Sequence, residues 1–494
     1  LMKEAALLSI DQGTSGSKAI LFSLSGKLVA KATVATRQRY PQAGFVEQDP
    51  EELYQSVIQA VKAAVKQYEE EGGDRRTIRC CGISNQRETF LLWDRDGKPL
   101  RPAVVWQCKR SVAVCSRLEE EGYGDDLTRR TGLIIDPYFS GTKLTAILEQ
   151  ENDIAEQVHA GKAFFGTVDS WLLFRLTGGA YASDFTNASR TLFMNLDSLS
   201  WDEEMIALLS AEGLRLPELG PSSRIFGTSD FEGIFPSSIP ISAMIGDSHA
   251  AAFGERCFSS GNAKATLGTG SSILMNTGSQ RPVSKNGMVA TICWSAGDRV
   301  DYALEGIIVS CGSTITWMRD QLGLFDESRD SDILAESVAS SEGVCLIPAF
   351  SGLGAPYWKM DQKGMITGLT FASSKAHVVR AGLESIAFQI KDVIMAMEAD
   401  SGITLRSLKA DGGLTVSNFT LSLIASLLQV PVTAIDVKEA SALGAGLLAA
   451  LGAGIFSSID EIAAIPYNSV DHKPKASPSA LEAYALWKQT IRTL

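Results

Sequence analysis

Two short runs of glycine and hydroxyl residues carry the first chemical signal. They are Asp11-Gln12-Gly13-Thr14-Ser15-Gly16-Ser17 and, roughly half the chain later, Thr266-Leu267-Gly268-Thr269-Gly270-Ser271-Ser272. Glycine lets backbone N–H groups approach a ligand, and the Thr14, Ser15 and Ser17 hydroxyls add donors, a combination that suits phosphate. Neither run is a Walker loop, since no Gly-x-x-x-x-Gly-Lys-Ser/Thr occurs. Taken singly, the first run reads more readily as a decorated hairpin turn. Two such turns, one per half, would converge on one polyphosphate. Asp247 ends an apolar run, where its carboxylate suits a general base for a hydroxyl or, equally, a helix N-cap. Arg87-Glu88 offers a donor fork beside an acceptor pair, equipment for vicinal hydroxyls that a surface ion pair would also display. Trp106 and Tyr138 read as core rings or as ligand walls. Ala410-Asp411-Gly412-Gly413, with Ser417 before an apolar helix, allows close backbone approach of a ligand, or simply a cap at Ser417.

The elements that must position these residues alternate along the chain. Residues 5–10 and 18–24 read as strands, short apolar runs bounded by turn residues. Residues 51–70 read as a helix, with Asp49 as cap, Pro50 in the first turn, and Leu53, Val57, Val61, Val65 and Tyr68 at helical spacing. Residues 241–245, 262–266 and 273–275 suggest strands, and 248–256, 419–428 and 440–451 suggest helices, an α/β mixture. The repeated glycine turn suggests two related lobes, 1–250 and 251–494, with a boundary near 246–254. The chain has 494 residues, 45% of them hydrophobic and 21% charged, with a net charge of −12. That balance opposes nucleic acid or an anionic membrane as main partner. Eight cysteines without a Cys-x-x-Cys pair, and only four histidines, predict reduced, buried thiols rather than a zinc site. Residues 5–10 are too short for a signal-peptide core, and glycines interrupt the apolar tract 440–456 before it reaches the ~20 residues of a membrane span. A cytoplasmic protein without membrane insertion is the expectation.

The residues singled out above resemble those of the FGGY carbohydrate kinases. The resemblance runs through Asp11-Gln12-Gly13-Thr14, Gly44-Phe45-Val46-Glu47-Gln48-Asp49-Pro50, Asn85-Gln86-Arg87-Glu88-Thr89 and Val105-Trp106-Gln107-Cys108. It continues in Asp136-Pro137-Tyr138-Phe139-Ser140-Gly141-Thr142-Lys143, Asp184-Phe185-Thr186-Asn187-Ala188-Ser189-Arg190, Gly246-Asp247, Gly268-Thr269-Gly270, Ala381-Gly382-Leu383-Glu384 and Asp411-Gly412-Gly413. It implies a two-lobed actin/hexokinase-like (ribonuclease H-like) α/β fold, with mixed sheets flanked by helices and a central cleft. It also implies ATP-dependent phosphorylation of a polyol: glycerol to sn-glycerol 3-phosphate with release of ADP. The alternatives are a kinase for erythritol, threitol or xylulose, or a non-catalytic actin-like nucleotide-binding protein. By resemblance, Asp247 is the general base, and Arg87, Glu88, Trp106 and Tyr138 hold the polyol. Asp11 and Asp247 attend Mg2+. Thr14, Ser15, Gly16, Lys18 and Thr269 lie at the phosphates, and Gly312, Thr316, Gly413 and Ser417 at the nucleotide. Relatives commonly form dimers or tetramers, so a homo-oligomer is expected.

Some positions depart from the family pattern. Ser248 and Ser272 stand where glycerol-specific members commonly carry glutamine and phenylalanine, which predicts a wider, more polar pocket beside the substrate. Lys18 replaces an arginine, keeping charge without the bidentate fork. Thr316 and Ser417 each replace an amide. Residues 230–237 lack both a glycine-rich basic loop and a histidine, so neither inhibition by a sugar bisphosphate nor activation by histidine phosphorylation is expected.

Overall fold

The computed structural model describes residues 6–437 and 439–493, so Ala5 of the expected first strand lies outside the described residues. Local sequence sets the elements. Asp49 accepts from the N–H groups of Glu51 and Glu52 at 2.9 and 3.4 Å, Pro50 fills the first turn, and helix α1 runs Pro50–Glu70. Its apolar stripe packs onto strands β2 (Gly16–Phe22) and β3 (Leu28–Ala35), which follow β1 (Leu7–Gly13). The second strand thus starts two residues before the sequence expectation and ends two earlier, because the tight turn at Gly26 (φ 73°) begins once Phe22 is buried.

The remaining strands of the main sheet are β4 (Cys80–Asn85), β5 (Ser223–Ser229), β6 (Ile239–Gly246), β7 (Asn262–Leu267), β8 (Ser271–Gly278), β9 (Val289–Ala296), β10 (Arg299–Ile308), β11 (Ser407–Asp411), β12 (Val432–Ile435) and β13 (Ser469–His472). They form one thirteen-stranded sheet in the order β13-β12-β11-β7-β8-β10-β9-β5-β6-β4-β1-β2-β3. The order contains a repeat. β3-β2-β1-β4-β6-β5 in the first half matches β10-β8-β7-β11-β12-β13 in the second, with the same parallel and antiparallel pairings. The glycine turns occupy equivalent places, joining β1 to β2 and β7 to β8. The two sheets expected from sequence are in fact continuous, joined through one parallel bridge, Ser223 with Ala296.

A smaller sheet of Glu47–Gln48, Ala103–Val104, Phe90–Trp93 and Phe164–Thr167 carries a further core in the first half, with Trp106 and Tyr138 packed against it. Helices α2 (Asp247–Gly254), α3 (Gly312–Asp320), α4 (Lys375–Ser401), α5 (Asn418–Leu428) and α6 (Ala440–Gly452) cover the main sheet. The apolar tract around 440–456 is α6, buried against β1, β4, β6 and α2. Its backbone lies so near that a Cβ on Gly444 would overlap the carbonyl of Ala250, and a Cβ on Gly82 the carbonyl of Ala445. No helix among the described residues is long and apolar enough to cross a membrane. All eight cysteines are free and buried.

Candidate active site

Parallel pairing builds the floor of the site. β1, β4 and β6 align Gln12 and Gly246 with Asn85, so their C-terminal ends lie side by side, the usual ligand edge of such sheets. That edge presents Asp11, Asn85-Gln86 and Asp247. Asp247 begins α2, but Gly246 is the capping residue, and the carboxylate of Asp247 accepts only the adjacent N–H of Ser248, at 2.7 Å. The capping alternative therefore fails, and the side chain stays 43% exposed. Behind it, the Gly246 N–H donates to Thr186 Oγ1 (2.9 Å), and Thr186 is held by Asp184 in a buried network that fixes the strand end. Asp11 is set deeper, with Oδ1 accepting from Ser84 at 3.2 Å and Lys18 Nζ 3.6 Å from Oδ2. Burial pushes its carboxyl up to about 6; Lys18 opposes that shift, and the charges of Asp247 and Glu439 add to it. Two neighbouring carboxylates, one penalised for carrying charge, are a donor set that fits a hard divalent cation.

Arg87 and Glu88 are no surface pair. Arg87 Nη1 and Nη2 bond Glu305 Oε2 and Oε1 at 3.2 and 2.9 Å, Nη1 also reaches His249 Nε2 at 3.0 Å, and Nε lies 3.4 Å from Asp247 Oδ1. Glu88 accepts from Arg190 Nε at 2.5 Å, and Arg190 Nη1 is 2.6 Å from Glu305. The side chains of Arg87, Glu88, Arg190 and Glu305 are at most 6% exposed. Burial alone would raise the Glu305 carboxyl, but Arg190 and Arg87 hold it well below the usual carboxylate range. Burial and the adjacent Arg87 charge keep His249 neutral, and because a guanidinium only donates, Nε2 is the acceptor. The fork expected to grip hydroxyls is thus engaged by Glu305, and only the Nε edge of Arg87 faces Asp247. Ser272 Oγ donates to Glu305 at 3.1 Å and lies 3.3 Å from Ser248 Oγ, so both serines extend the charged network.

Trp106 and Tyr138 meet edge to face, with centroids 5.5 Å apart. The indole N–H donates to Thr14 Oγ1 at 2.9 Å, tying this wall to the first glycine turn. Beneath them Lys143, fully buried, donates to the carbonyls of Tyr138 (2.8 Å) and Trp106 (3.1 Å), and burial lowers its ammonium to about 7.

The first glycine turn is a two-residue hairpin, Thr14-Ser15, closed by Gly13 opposite Gly16. Gly16 answers to its own sheet: a Cβ there would lie 2.7 Å from Val34 O. Ser17, expected among the donors, faces away and bonds Ser56 Oγ at 2.7 Å. Lys18 Nζ bonds Glu439 Oε2 at 2.7 Å, and Glu439 also holds Lys31. The second turn carries the start of α3, since the Gly312 N–H donates to Gly268 O at 2.8 Å. Beside it opens a cavity of 610 Å³, whose lining includes Thr269, Gly312, Thr316, Trp317, Gly413 and Ser417, a size suited to a nucleotide. A Cβ on Gly413 would meet nothing within 4 Å, so that glycine leaves open wall. Ser417 lines the cavity and also caps α5, accepting from the Thr420 N–H at 3.1 Å.

Models of the FGGY family of carbohydrate kinases match this chain in two parts, the N-terminal domain over residues 6–254 and the C-terminal domain over 263–453. The chain belongs to that family. It is 43% identical to the glycerol kinase of Bacillus velezensis, covering 99% of this chain and 98% of the relative, and 43% identical to glycerol kinase 2 of Thermotoga maritima, covering 98% of each. Among solved structures, Plasmodium falciparum glycerol kinase with ADP superposes with a TM-score of 0.94 at 31% identity, covering 99% of this chain and 98% of that one. The chain is thus an ATP-dependent carbohydrate kinase of this family.

Sequence reasoning gave no role to His249, Arg190, Glu305 or Glu439. Glu305 had a signal: a lone carboxylate inside the apolar run Tyr302-Ala303-Leu304-Glu305-Gly306-Ile307-Ile308 needs a buried cation. Glu439 had none, because only the fold brings it to Lys18.

Proposed function

We propose that the protein phosphorylates glycerol, transferring the γ-phosphoryl group of ATP to give sn-glycerol 3-phosphate and ADP, with Asp247 as general base. The observation that carries this reading is Asp247 itself, an uncapped carboxylate at the strand-end edge between Arg87 and Asp11. In the proposed reaction the attacking glycerol hydroxyl gives its proton to Asp247 as the new O–P bond forms and the bond to the β-phosphate oxygen breaks. The proton need leave only late in a loose transition state, so no strong base is required. Arg87 Nε and Glu88 orient the hydroxyls, and Trp106 and Tyr138 form the apolar wall behind the carbon chain. Ser272, held by Glu305, and Ser248, bonded to Ser272, line the remaining side as polar groups. Thr14, Ser15, Gly16, Lys18 and Thr269 would face the phosphates, and Gly312, Thr316, Gly413 and Ser417 the nucleoside. Asp11 and Asp247 would hold Mg2+, which when bound neutralises phosphate charge. Residues 1–250 and 251–494 act in this reading as two lobes around the substrates, in a cytoplasmic homo-oligomer.

The full-length relatives named glycerol kinase support glycerol over larger acceptors. The test is ADP release with Mg-ATP across glycerol, dihydroxyacetone, erythritol, threitol and xylulose. Glycerol should lead, and Asp247→Asn should lower kcat by about 10²–10⁴ while nucleotide still binds. Full turnover in Asp247→Asn, or a faster larger polyol, would overturn the assignment.

A further inference from the structure

A second cavity, of 520 Å³, lies at the far end of β2 from the glycine turn. Seven residues of strand, about 20 Å, separate the two. Its walls come from both halves of the chain: Phe22 at the end of β2, Lys27 in the turn that follows, Arg256 just after α2, Leu443 on α6, and Ile465 and Tyr467 before β13. Nothing in the proposed reaction uses it.

Arg256 is the informative residue. Its backbone is left-handed, φ 65°, a conformation that side chains other than glycine rarely adopt. Arg256 lines the cavity and forms no ion pair with the adjacent buried Glu255. Nη1 donates to Gly254 O at 3.2 Å and the Tyr467 ring lies 5.9 Å away, but Nε is buried with no acceptor. No carboxylate among the described residues lies within ion-pair distance of Arg256 or of Lys27. Asp436 is the one carboxylate among the lining residues, and it is exposed to solvent. Burial holds the Arg256 guanidinium down to about 10. A half-buried cation beside a cavity, with no carboxylate partner, is a vacancy for an anion.

We propose that this cavity is a binding site for a phosphate monoester carried on a small apolar body. The phosphate takes the charge of Arg256 and the ammonium of Lys27, two cations for a dianion. The organic body packs on Phe22, Leu443, Ile465 and the Tyr467 ring. The wall at Asp436 and Val437 runs on toward Glu439, the residue that holds Lys18 beside the phosphate turn.

The test reads binding without turnover, so it stands apart from the choice of acceptor. 4-Bromophenyl phosphate is titrated into the full-length protein by calorimetry, and its bromine is located by anomalous diffraction. Arg256→Gly is the main variant, because glycine tolerates the left-handed backbone, and it should melt at or above the wild-type temperature. Binding should weaken at least tenfold in Arg256→Gly and about threefold in Lys27→Met, an exposed turn position that cannot unfold the core. Bromine should lie between Tyr467 and Leu443. Equal affinity in the wild type and Arg256→Gly, no binding at all, or bromine found only in the nucleotide cavity would each overturn the proposal.

Discussion

Replacing Glu305 with glutamine isolates the buried charge network beneath the substrate edge. The carboxylate faces Arg87 and Arg190, and all three side chains are nearly inaccessible. Glutamine keeps the volume and one acceptor but leaves Arg190 with Glu88 alone and Arg87 with the half-exposed Asp247. Breaking a buried ion pair from one side costs about 3–5 kcal/mol, and the retained acceptor favours the lower figure, about 3 kcal/mol. Unfolding entropy of about 2.1 cal/mol/K per residue gives about 1 kcal/mol/K for the whole chain, so Tm should fall by about 3 °C, or about 6 °C if only half the chain unfolds cooperatively. Glycerol turnover should fall as well, since Arg87 loses the partner that aims its Nε at Asp247. Asp320→Asn, which breaks the solvent-exposed pair with Arg319, is the control and should shift Tm by less than 1 °C. The sign with pH follows from the depressed carboxyl of Glu305. Its stabilisation is present in full above about pH 5 and is lost as pH falls below the unfolded value near 4.3, toward the lower folded value. The gap between wild type and Glu305→Gln should therefore be constant from pH 5 to 8 and close in stronger acid. A variant that melts within 1 °C of the wild type at pH 7, with unchanged kcat/KM, would refute the account of a paired, charged Glu305.

Lys143→Met removes the donor to the Trp106 and Tyr138 carbonyls, and KM for glycerol should rise more than kcat falls. Because the folded ammonium titrates near 7 against 10.5 unfolded, the wild type should gain stability relative to Lys143→Met as pH rises from 7 to 10, measured by urea denaturation. Gly444→Ala forces a methyl into the Ala250 carbonyl and should cost about 3 kcal/mol or prevent folding. Gly413→Ala, with open space around it, should leave Tm unchanged while raising KM for ATP; equal stability of these two alanine variants would contradict the packing described. Trp106→Phe, which loses the indole bond to Thr14, should weaken glycerol use by about tenfold with little change in melting.

The elements most legible in the sequence were those with a local cause. Asp49, Pro50 and a clean apolar stripe determine α1, and the paired glycine turns disclose the repeated strand order. Asp247, Arg87 and Glu88 stood out as charged residues near the ends of apolar runs, and the structure brings them to one edge as neither a helix cap nor a surface pair. Their neighbours did not. Arg190, Glu305 and His249 come from three distant segments, and their roles arise only when the turn after residues 185–188, β10 and α2 bring them to one point. The same limit explains the misreading of Arg87 as a free fork, since its partner lies more than two hundred residues away. Ser17 failed for a different reason: a strand alternates its faces, so the hydroxyl after Gly16 turns toward α1 rather than into the loop.

Helix α6 follows second-half strand β12 in the chain yet lies with its backbone against first-half strands and α2. Contacts of backbone on backbone have no side chains between them to re-pack, so α6 cannot slide along its seat by small adjustments. Any relative rotation of the two halves must carry α6 with the first. Such a rotation would also have to break the pairs of Arg87 and Arg190 with Glu305, which tie the first half to β10. The buried charge network beneath the substrate edge is therefore also a clasp that keeps the two halves in register.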